Sequence, residues 1–184
     1  MFHRSERLLL RPPWPEDWQA VRAGIADEGV VRNLASAPWP YADSDAQDWC
    51  GQAFAPDCPR FLVTIARSAE VIGCIGIGPL PIEDGGGDGI MEMGYWIARA
   101  HWGRGYATEA AAAMLEIARM LGHSRIEAGH FVDNPASGKV LRKVGFLPTG
   151  RVEPRHSKGR GYSASCVLYR IDLQAGLCPD DKAA

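Results

Sequence analysis

Residues 101–121 (HWGRGYATEAAAAMLEIARML) constrain the fold of this chain more than any other stretch. Gly103 and Gly105 stand directly before about four turns of strong helix formers. Just upstream, residues 90–97 (IMEMGYWI) read as a strand. A strand, a short glycine-bearing loop and a helix N-terminus together make an anion site. The first helical N–H groups have no partner within the helix, and the macrodipole adds positive potential there. Glycine lets the backbone approach a bulky anion with no Cβ in the way. The ligand this predicts is a phosphate or pyrophosphate. Taken alone, GRG reads more readily as a tight turn, since a lone glycine pair is a weak motif. The rest of the chain decides between the two.

A chain of 184 residues is most simply one domain, here residues 1–173, with a polar, disordered tail at 174–184. Its 46% hydrophobic and 23% charged content is that of a globular protein with a real core. A net charge of −2 gives no reason to expect a nucleic-acid or membrane surface. No apolar run approaches the roughly 18–20 residues of a membrane helix. The start, MFHRSERLLLR, carries only three consecutive leucines, too few for a signal peptide. The expected location is cytoplasmic. Cysteines at 50, 58, 74, 166 and 178 form no CxxC pair and read as free thiols, Cys74 and Cys166 as core residues. Histidines at 3, 101, 123, 130 and 156 lack metal-ligand spacing, so no metal is expected.

Residues 6–11 read as a first strand, ended by Pro12 and Pro13. Pro15, Glu16 and Asp17 open a helix that runs to about residue 26. Residues 33–41 (NLASAPWPY) are loop, and Asp43 or Ser44 caps a second helix reaching about residue 54. Residues 60–66 and 71–76 form a strand hairpin about 67–70. The glycine-rich stretch 84–89 is a loop. After the strand at 90–97 and the long helix comes a strand at 125–132. Asn134 then caps a short helix ended by Gly145, and residues 167–173 make a last strand. The order β-α-α-β-β-β-α-β-α-β predicts an α/β (α+β) fold, with a mixed, mostly antiparallel central sheet and helices on both faces.

The loop resembles the acetyl-CoA signature of the GNAT acetyltransferase superfamily. That pattern runs Arg or Gln, two variable residues, Gly, one variable residue, then Gly or Ala. Residues 102–107 read Trp102-Gly103-Arg104-Gly105-Tyr106-Ala107. Gly105 and Ala107 fit, and Trp102 stands where Arg or Gln is usual. The strings GYWI and WGRGYATEA resemble the RimJ/RimL-type branch in particular. Asn134-Pro135-Ala136-Ser137 after a strand-like run, and VLRKVGF at 140–146, support it. The resemblance spans residues 4–173, and its specific motifs lie in 91–146.

The resemblance implies that strands 90–97 and 125–132 splay apart to form a cofactor cleft holding the pantetheine arm of acetyl-CoA. Backbone from Gly103 through Arg104, Gly105, Tyr106 and Ala107 to Thr108 would hold the pyrophosphate, with the Thr108 hydroxyl adding a bond. The backbone of Tyr95, Trp96 and Ile97 would pair with pantetheine like an added strand. Asn134 would bond pantetheine, and Ser137 would face the sulfur as general acid. Arg142 or Lys143 could reach the 3′-phosphate, although solvated charge on an exposed helix face explains them equally well. Asn134 likewise has a plain reading as a helix cap.

Acetyl transfer from a thioester to an amine needs a held cofactor, a neutral amine, a stabilised oxyanion and a protonated leaving thiol. Glu92 is the first candidate base, as a lone acid in the apolar run MEMGYW on the face of Trp96. It could equally pair with a buried cation or face solvent. His156 is the second, since its ordinary pKa near 6.5 suits a base. It could equally be a loop histidine among Arg155, Lys158 and Arg160. The acceptor would meet the loop 33–41, the loop 84–89 with Asp84 and Asp88, and the segment 151–162. Trp39, Tyr41 and Tyr162 could line an apolar slot or simply pack.

The lead expectation is therefore a cytoplasmic, acetyl-CoA-dependent N-acetyltransferase, monomeric or homodimeric. It would move the acetyl group directly to a primary amine, either a peptide N-terminus or a small molecule. The alternative is a non-catalytic acyl-CoA-binding sensor of the same fold. A dinucleotide-binding reading of residues 73–78 (GCIGIG) fails, because Pro79 and Pro81 follow where a helix must open.

Overall fold

One sheet with two apolar faces organises the chain. The computed structural model describes residues 1–80 and 90–173. In chain order the elements are β1 (His3–Arg4), β2 (Leu8–Arg11), α1 (Trp18–Ile25), α2 (Glu28–Val31), α3 (Asp43–Gly51), β3 (Arg60–Ile65), β4 (Val71–Pro79), β5 (Met91–Ile97), α4 (Tyr106–Met120), β6 (Arg125–Phe131), α5 (Pro135–Lys143), β7 (Leu147–Ser157) and β8 (Tyr162–Asp172). The strands lie in the order β1-β2-β3-β4-β5-β6-β8-β7. Every neighbouring pair is antiparallel except β5 and β6, which run parallel.

Helix α4 covers one face. Its alanines at 110, 111, 113 and 118 let Met114 and Ile117 press onto Leu8, Leu10, Phe61, Ile75, Met93 and Ile126, with Leu141 of α5 alongside. Each such fully buried aliphatic side chain is worth about 1.5–3 kcal/mol against exposure. The other face lies under α1, α2 and α3, where Val21, Ile25, Val31, Ala46 and Cys50 meet Leu62 and the edge of Trp96. The expected two-faced α/β sandwich is thus the fold observed.

The departures have local causes. The strand expected at 6–11 begins only at Leu8, as β2, because the Arg7 N–H stands outside the ladder and donates to Glu109; β1 is a separate short strand at His3–Arg4. Helix α2 is too short to show a helical period, and Asp27 caps it by accepting from Gly29 N–H at 2.8 Å. In α3 the cap position is Ala42, whose N–H donates to Asp45; Asp43 is already helical. The segment 151–162 is not a loop. It is most of β7, the turn beyond it and the start of β8. Pro148 and Pro154 disguised β7, but it is an edge strand, where proline costs no central ladder bond. A register shift between Pro148 and Val152 absorbs the irregularity. The loop carrying Asp84 and Asp88, Cys178 and the expected tail at 174–184 lie outside the described residues.

Candidate active site

The sheet is split at its centre. β5 pairs with β4 at seven positions from Met91 to Ile97, but with β6 only at Glu92↔Glu127. Beyond Glu92 the two parallel strands part. Ala98 N–H bonds Ile72 O on the β4 side. Backbone groups alternate sides along a strand, so Tyr95 and Ile97 turn theirs into the opening and Trp96 turns its own to β4. An extended ligand can therefore add to β5 through Tyr95. The Ile97 carbonyl already accepts from Trp102 Nε1 at 2.6 Å. Trp102, where the motif usually carries Arg or Gln, thus closes the end of β5.

The glycine loop stands just beyond this end of β5. Gly103 (φ +74°) and Gly105 (φ +81°) both adopt the left-handed conformation that turns the chain into α4. Among the described residues, no acceptor meets the backbone N–H of residues 103–108. Six donors at the positive end of a 15-residue helix suit a pyrophosphate. Arg7 braces the loop from behind: Nη1 donates to Arg104 O at 3.0 Å and Nε to Glu109 Oε2 at 2.7 Å. Its guanidinium also lies over the Tyr106 ring, 4.7 Å from the centroid. Ser5 Oγ adds a bond to Glu109 at 2.7 Å. Burial alone would raise the Glu109 carboxyl. The bonds from Arg7 N–H, Ser5 and the Arg7 guanidinium outweigh it and hold the carboxyl below its usual range.

Helix α5 borders the opening from the β6 side. Asn134 occupies the cap position, yet its side chain makes no capping bond, so the plain-cap explanation does not account for it. Ser137, one turn on, shares a 2.8 Å hydrogen bond with the Tyr95 hydroxyl of β5. Burial pushes the Tyr95 phenol up to about 12, against a lowering by the Ser137 bond. Arg142 is engaged, donating to Tyr169 Oη at 2.7 Å, while Lys143 is exposed at the end of the helix. Of the two candidates for the 3′-phosphate, Arg142 is thus the one already held by a hydrogen bond.

On the face of α1, α2 and α3, Glu92 forms an ion pair with Arg155 of β7. The side chain of Arg155 is 9% exposed and that of Glu92 is 22% exposed, so each needs the other's charge. Gly129 lies beside this pair: a Cβ there would clash with Cys166 Sγ at 2.7 Å and touch Arg155 Nη1 at 3.5 Å. His156 is exposed and, by strand alternation, faces away from Arg155. The structure thus gathers Tyr95, Asn134 and Ser137 about the opening and sets Glu92 at its fork. It leaves His156 on the opposite side of β7.

The turn after β7 is tied to the residues just beyond β6 and to the segment after α2. Arg160 donates to both Asp133 oxygens, at 2.9 and 2.8 Å, and to Arg32 O at 2.6 Å, while Arg32 also reaches Asp133 at 2.8 Å. The Arg160 bond holds the Asp133 carboxyl below the usual carboxylate range. Ser157 Oγ donates to Leu34 O at 2.7 Å, so the loop 33–41 leans on this turn. Tyr41 is buried in the core, whereas Trp39 and Tyr162 are exposed. Sequence reasoning missed Arg7, Glu109, Arg155, Arg160 and the Tyr95 hydroxyl. A strand reading of 147–157 would have placed Arg155 and Ser157 inward by alternation. No local signal marks the others.

Comparison with known proteins agrees with this geometry. The family model described as an acetyltransferase (GNAT) domain matches residues 7–147. A Bacillus licheniformis protein named as an uncharacterized N-acetyltransferase, p20, is 29% identical over 172 residues, covering 91% of this chain and 93% of its own. YoaA of Bacillus subtilis, also named as an uncharacterized N-acetyltransferase, is 30% identical over 79% of this chain and 82% of its own. Among solved structures, a GNAT-family acetyltransferase from Bacillus anthracis superposes with a TM-score of 0.79 at 24% identity, covering 94% of this chain and 99% of that one. The microcin C7 self-immunity acetyltransferase MccE, solved with acetyl-CoA and AMP, gives 0.73 at 17% identity, covering 91% and 93%. With a parted β5 and β6, a donor-rich glycine loop and a family match over most of its length, this chain belongs to the GNAT acetyltransferase family and is an acyl-CoA-dependent acetyltransferase.

Proposed function

We propose that the chain moves the acetyl group of acetyl-CoA directly to a primary amine, with no covalent enzyme intermediate. The acceptor is a protein N-terminal α-amine or a small-molecule amine. The carrying observation is the opening between β5 and β6, with the free N–H groups of residues 103–108 close to one end. Acetyl-CoA supplies an activated acyl group on a good leaving thiol. The chain's own residues do the rest. The loop from Gly103 to Thr108 binds the pyrophosphate, and Lys143 neutralises the 3′-phosphate. Tyr95 backbone and the Asn134 side chain hold the pantetheine in extended form. Ser137 Oγ–H donates to the departing sulfur. A thiol near pKa 8–9 needs little help, so Ser137 accelerates the reaction without being indispensable.

Glu92 is the candidate base, taking the amine proton through a water. Its pairing with Arg155 favours a second reading, in which Glu92 fixes Arg155 and the amine enters already neutral. That reading selects weakly basic acceptors. At pH 7 about a tenth of an α-amine is neutral, against roughly one in a few thousand for a lysine. His156 would serve only an acceptor that approaches from the far side of β7. The motif strings at 94–97 and 102–110 support the RimJ/RimL-like branch. The free thiols of Cys50, Cys58 and Cys74 support a cytoplasmic location.

The test is calorimetric titration with acetyl-CoA, then free-thiol release against a panel of peptides with free N-termini, lysine side chains and small amines. Binding with acceptor-dependent thiol release is expected. Tight binding with no turnover on any acceptor would favour an acyl-CoA sensor of the same fold. No binding would overturn the reading of the glycine loop.

A further inference from the structure

We propose that the Tyr95 hydroxyl is a positioning group for the leaving thiol, holding Ser137 so that its proton points into the opening between β5 and β6. This rests on the reading of Ser137 as the group that faces the sulfur. Three observations carry it. First, Tyr95 reaches from β5 across to α5, and its hydroxyl lies 2.8 Å from Ser137 Oγ. The contact spans the opening where the two parallel strands part. Second, either hydroxyl can donate across this contact, and because a phenol is the more acidic of the two we assign Tyr95 as donor and Ser137 as acceptor. Ser137 then keeps its own proton for a third atom. Third, the phenol is mostly buried and stays protonated across the working range of pH, so it remains a donor throughout.

A serine hydroxyl with no neighbour rotates among staggered positions, and only some aim its proton at a given atom. Tyr95 removes that freedom before the reaction starts. The pair acts as two hydrogen-bond donors in series: Tyr95 O–H to Ser137 Oγ, and Ser137 O–H to the sulfur. As the C–S bond breaks, its electron pair stays on sulfur, and both bonds strengthen. No tyrosinate forms, because a phenol of pKa about 12 does not protonate a thiolate whose acid lies near 8–9. The sulfur takes its lasting proton from the attacking nitrogen, which sheds one on becoming the amide, relayed through water.

A double-mutant cycle on the full chain tests this, using Tyr95→Phe, Ser137→Ala and both together. The readouts are thiol release on an acceptor from the panel above and acetyl-CoA affinity by calorimetry. Tyr95→Phe should lower kcat about fivefold, the worth of one net hydrogen bond, with acetyl-CoA affinity unchanged. In the Ser137→Ala background the same change should have no further effect. Equal loss in both backgrounds would overturn the proposal, as would a loss confined to acetyl-CoA affinity. If Ser137→Ala slows turnover and Tyr95→Phe does not, the proposal falls and Ser137 stands. If Ser137→Ala leaves kcat unchanged, both fall.

Discussion

Glu109 accepts two hydrogen bonds from Arg7, one from the backbone N–H and one from Nε, each at 2.7 Å. The two residues stand 102 positions apart, and their contact joins the turn before β2 to the first turn of α4. Because Arg7 also bonds Arg104 O, it fixes the glycine loop relative to the sheet. Glu109→Gln weakens the charge-assisted half of this brace, and Arg7→Ala removes its side-chain half. Either change should weaken acetyl-CoA binding about tenfold in calorimetry. Affinity for acetyl-pantetheine, which lacks the pyrophosphate, should stay the same. An equal loss for both ligands would mean that the brace supports the whole fold and not the loop. The depressed Glu109 carboxyl also adds stability above the ordinary glutamate pKa, near 4.3, and loses it as pH falls through the lower folded value. Glu109→Gln should therefore flatten the acid limb of the melting-temperature profile.

The two loop glycines should respond differently to substitution. At Gly103 (φ +74°) a Cβ meets nothing within 4 Å, so Gly103→Ala carries only the left-handed strain of about 1–2 kcal/mol. At Gly105 (φ +81°) a Cβ lies 3.4 Å from Arg7 Nη2, beside the brace. Gly105→Glu adds bulk and a negative charge where phosphate oxygens should lie. Acetyl-CoA affinity should fall by about a hundredfold or more, at or above the upper end of what one lost charge-assisted bond explains. Unchanged affinity in Gly105→Glu would remove the anion site from residues 103–108.

The loop was legible in sequence because its parts are local. Strand, glycines and helix follow one another within residues 90–121, and each is set by short-range preference. Asn134 and Ser137 were legible for the same reason, as the opening of the next helix. The braces were not. Arg7 and Glu109, Glu92 and Arg155, and Asp133 and Arg160 meet only through tertiary folding, and charged residues at such spacings look like ordinary surface. β7 was hidden by Pro148 and Pro154, since edge strands tolerate what central strands forbid. The long reach of β7 is what brings Arg155 back to Glu92, so missing the strand also hid that partner.

The Glu92–Arg155 pair separates a structural from a catalytic role for Glu92. Glu92→Gln weakens the compensation of the buried Arg155 charge and should cost about 2–3 kcal/mol, below the usual range for buried pairs because Glu92 is partly exposed. The double variant Glu92→Gln/Arg155→Met removes both charges and should recover most of the melting temperature. Turnover decides the role. If Glu92 only holds Arg155, activity should return with stability in the double variant. If Glu92 is the base, activity stays low there, and the acid limb of the pH–rate profile should disappear.

Gly138 sets how closely α5 approaches β6. A Cβ at this position would lie 2.5 Å from His130 Nε2, closer than real Cβ atoms come. His130 cannot easily yield: it is buried, it bonds Phe131 O at 2.8 Å through Nδ1, and its ring lies 5.6 Å from that of Tyr169. Alanine would favour the helix by about 0.5–1 kcal/mol, and overpacking should cost about 1–3 kcal/mol. The clash should win, and α5 should lift away from the sheet. Ser137, the residue before Gly138, would then draw back from Tyr95. Gly138→Ala should therefore lower kcat several-fold while the loop at 103–108 still binds CoA, so acetyl-CoA affinity falls by less than kcat does. A Gly138→Ala enzyme with full kcat would mean that the spacing between α5 and β5 does not govern the chemical step.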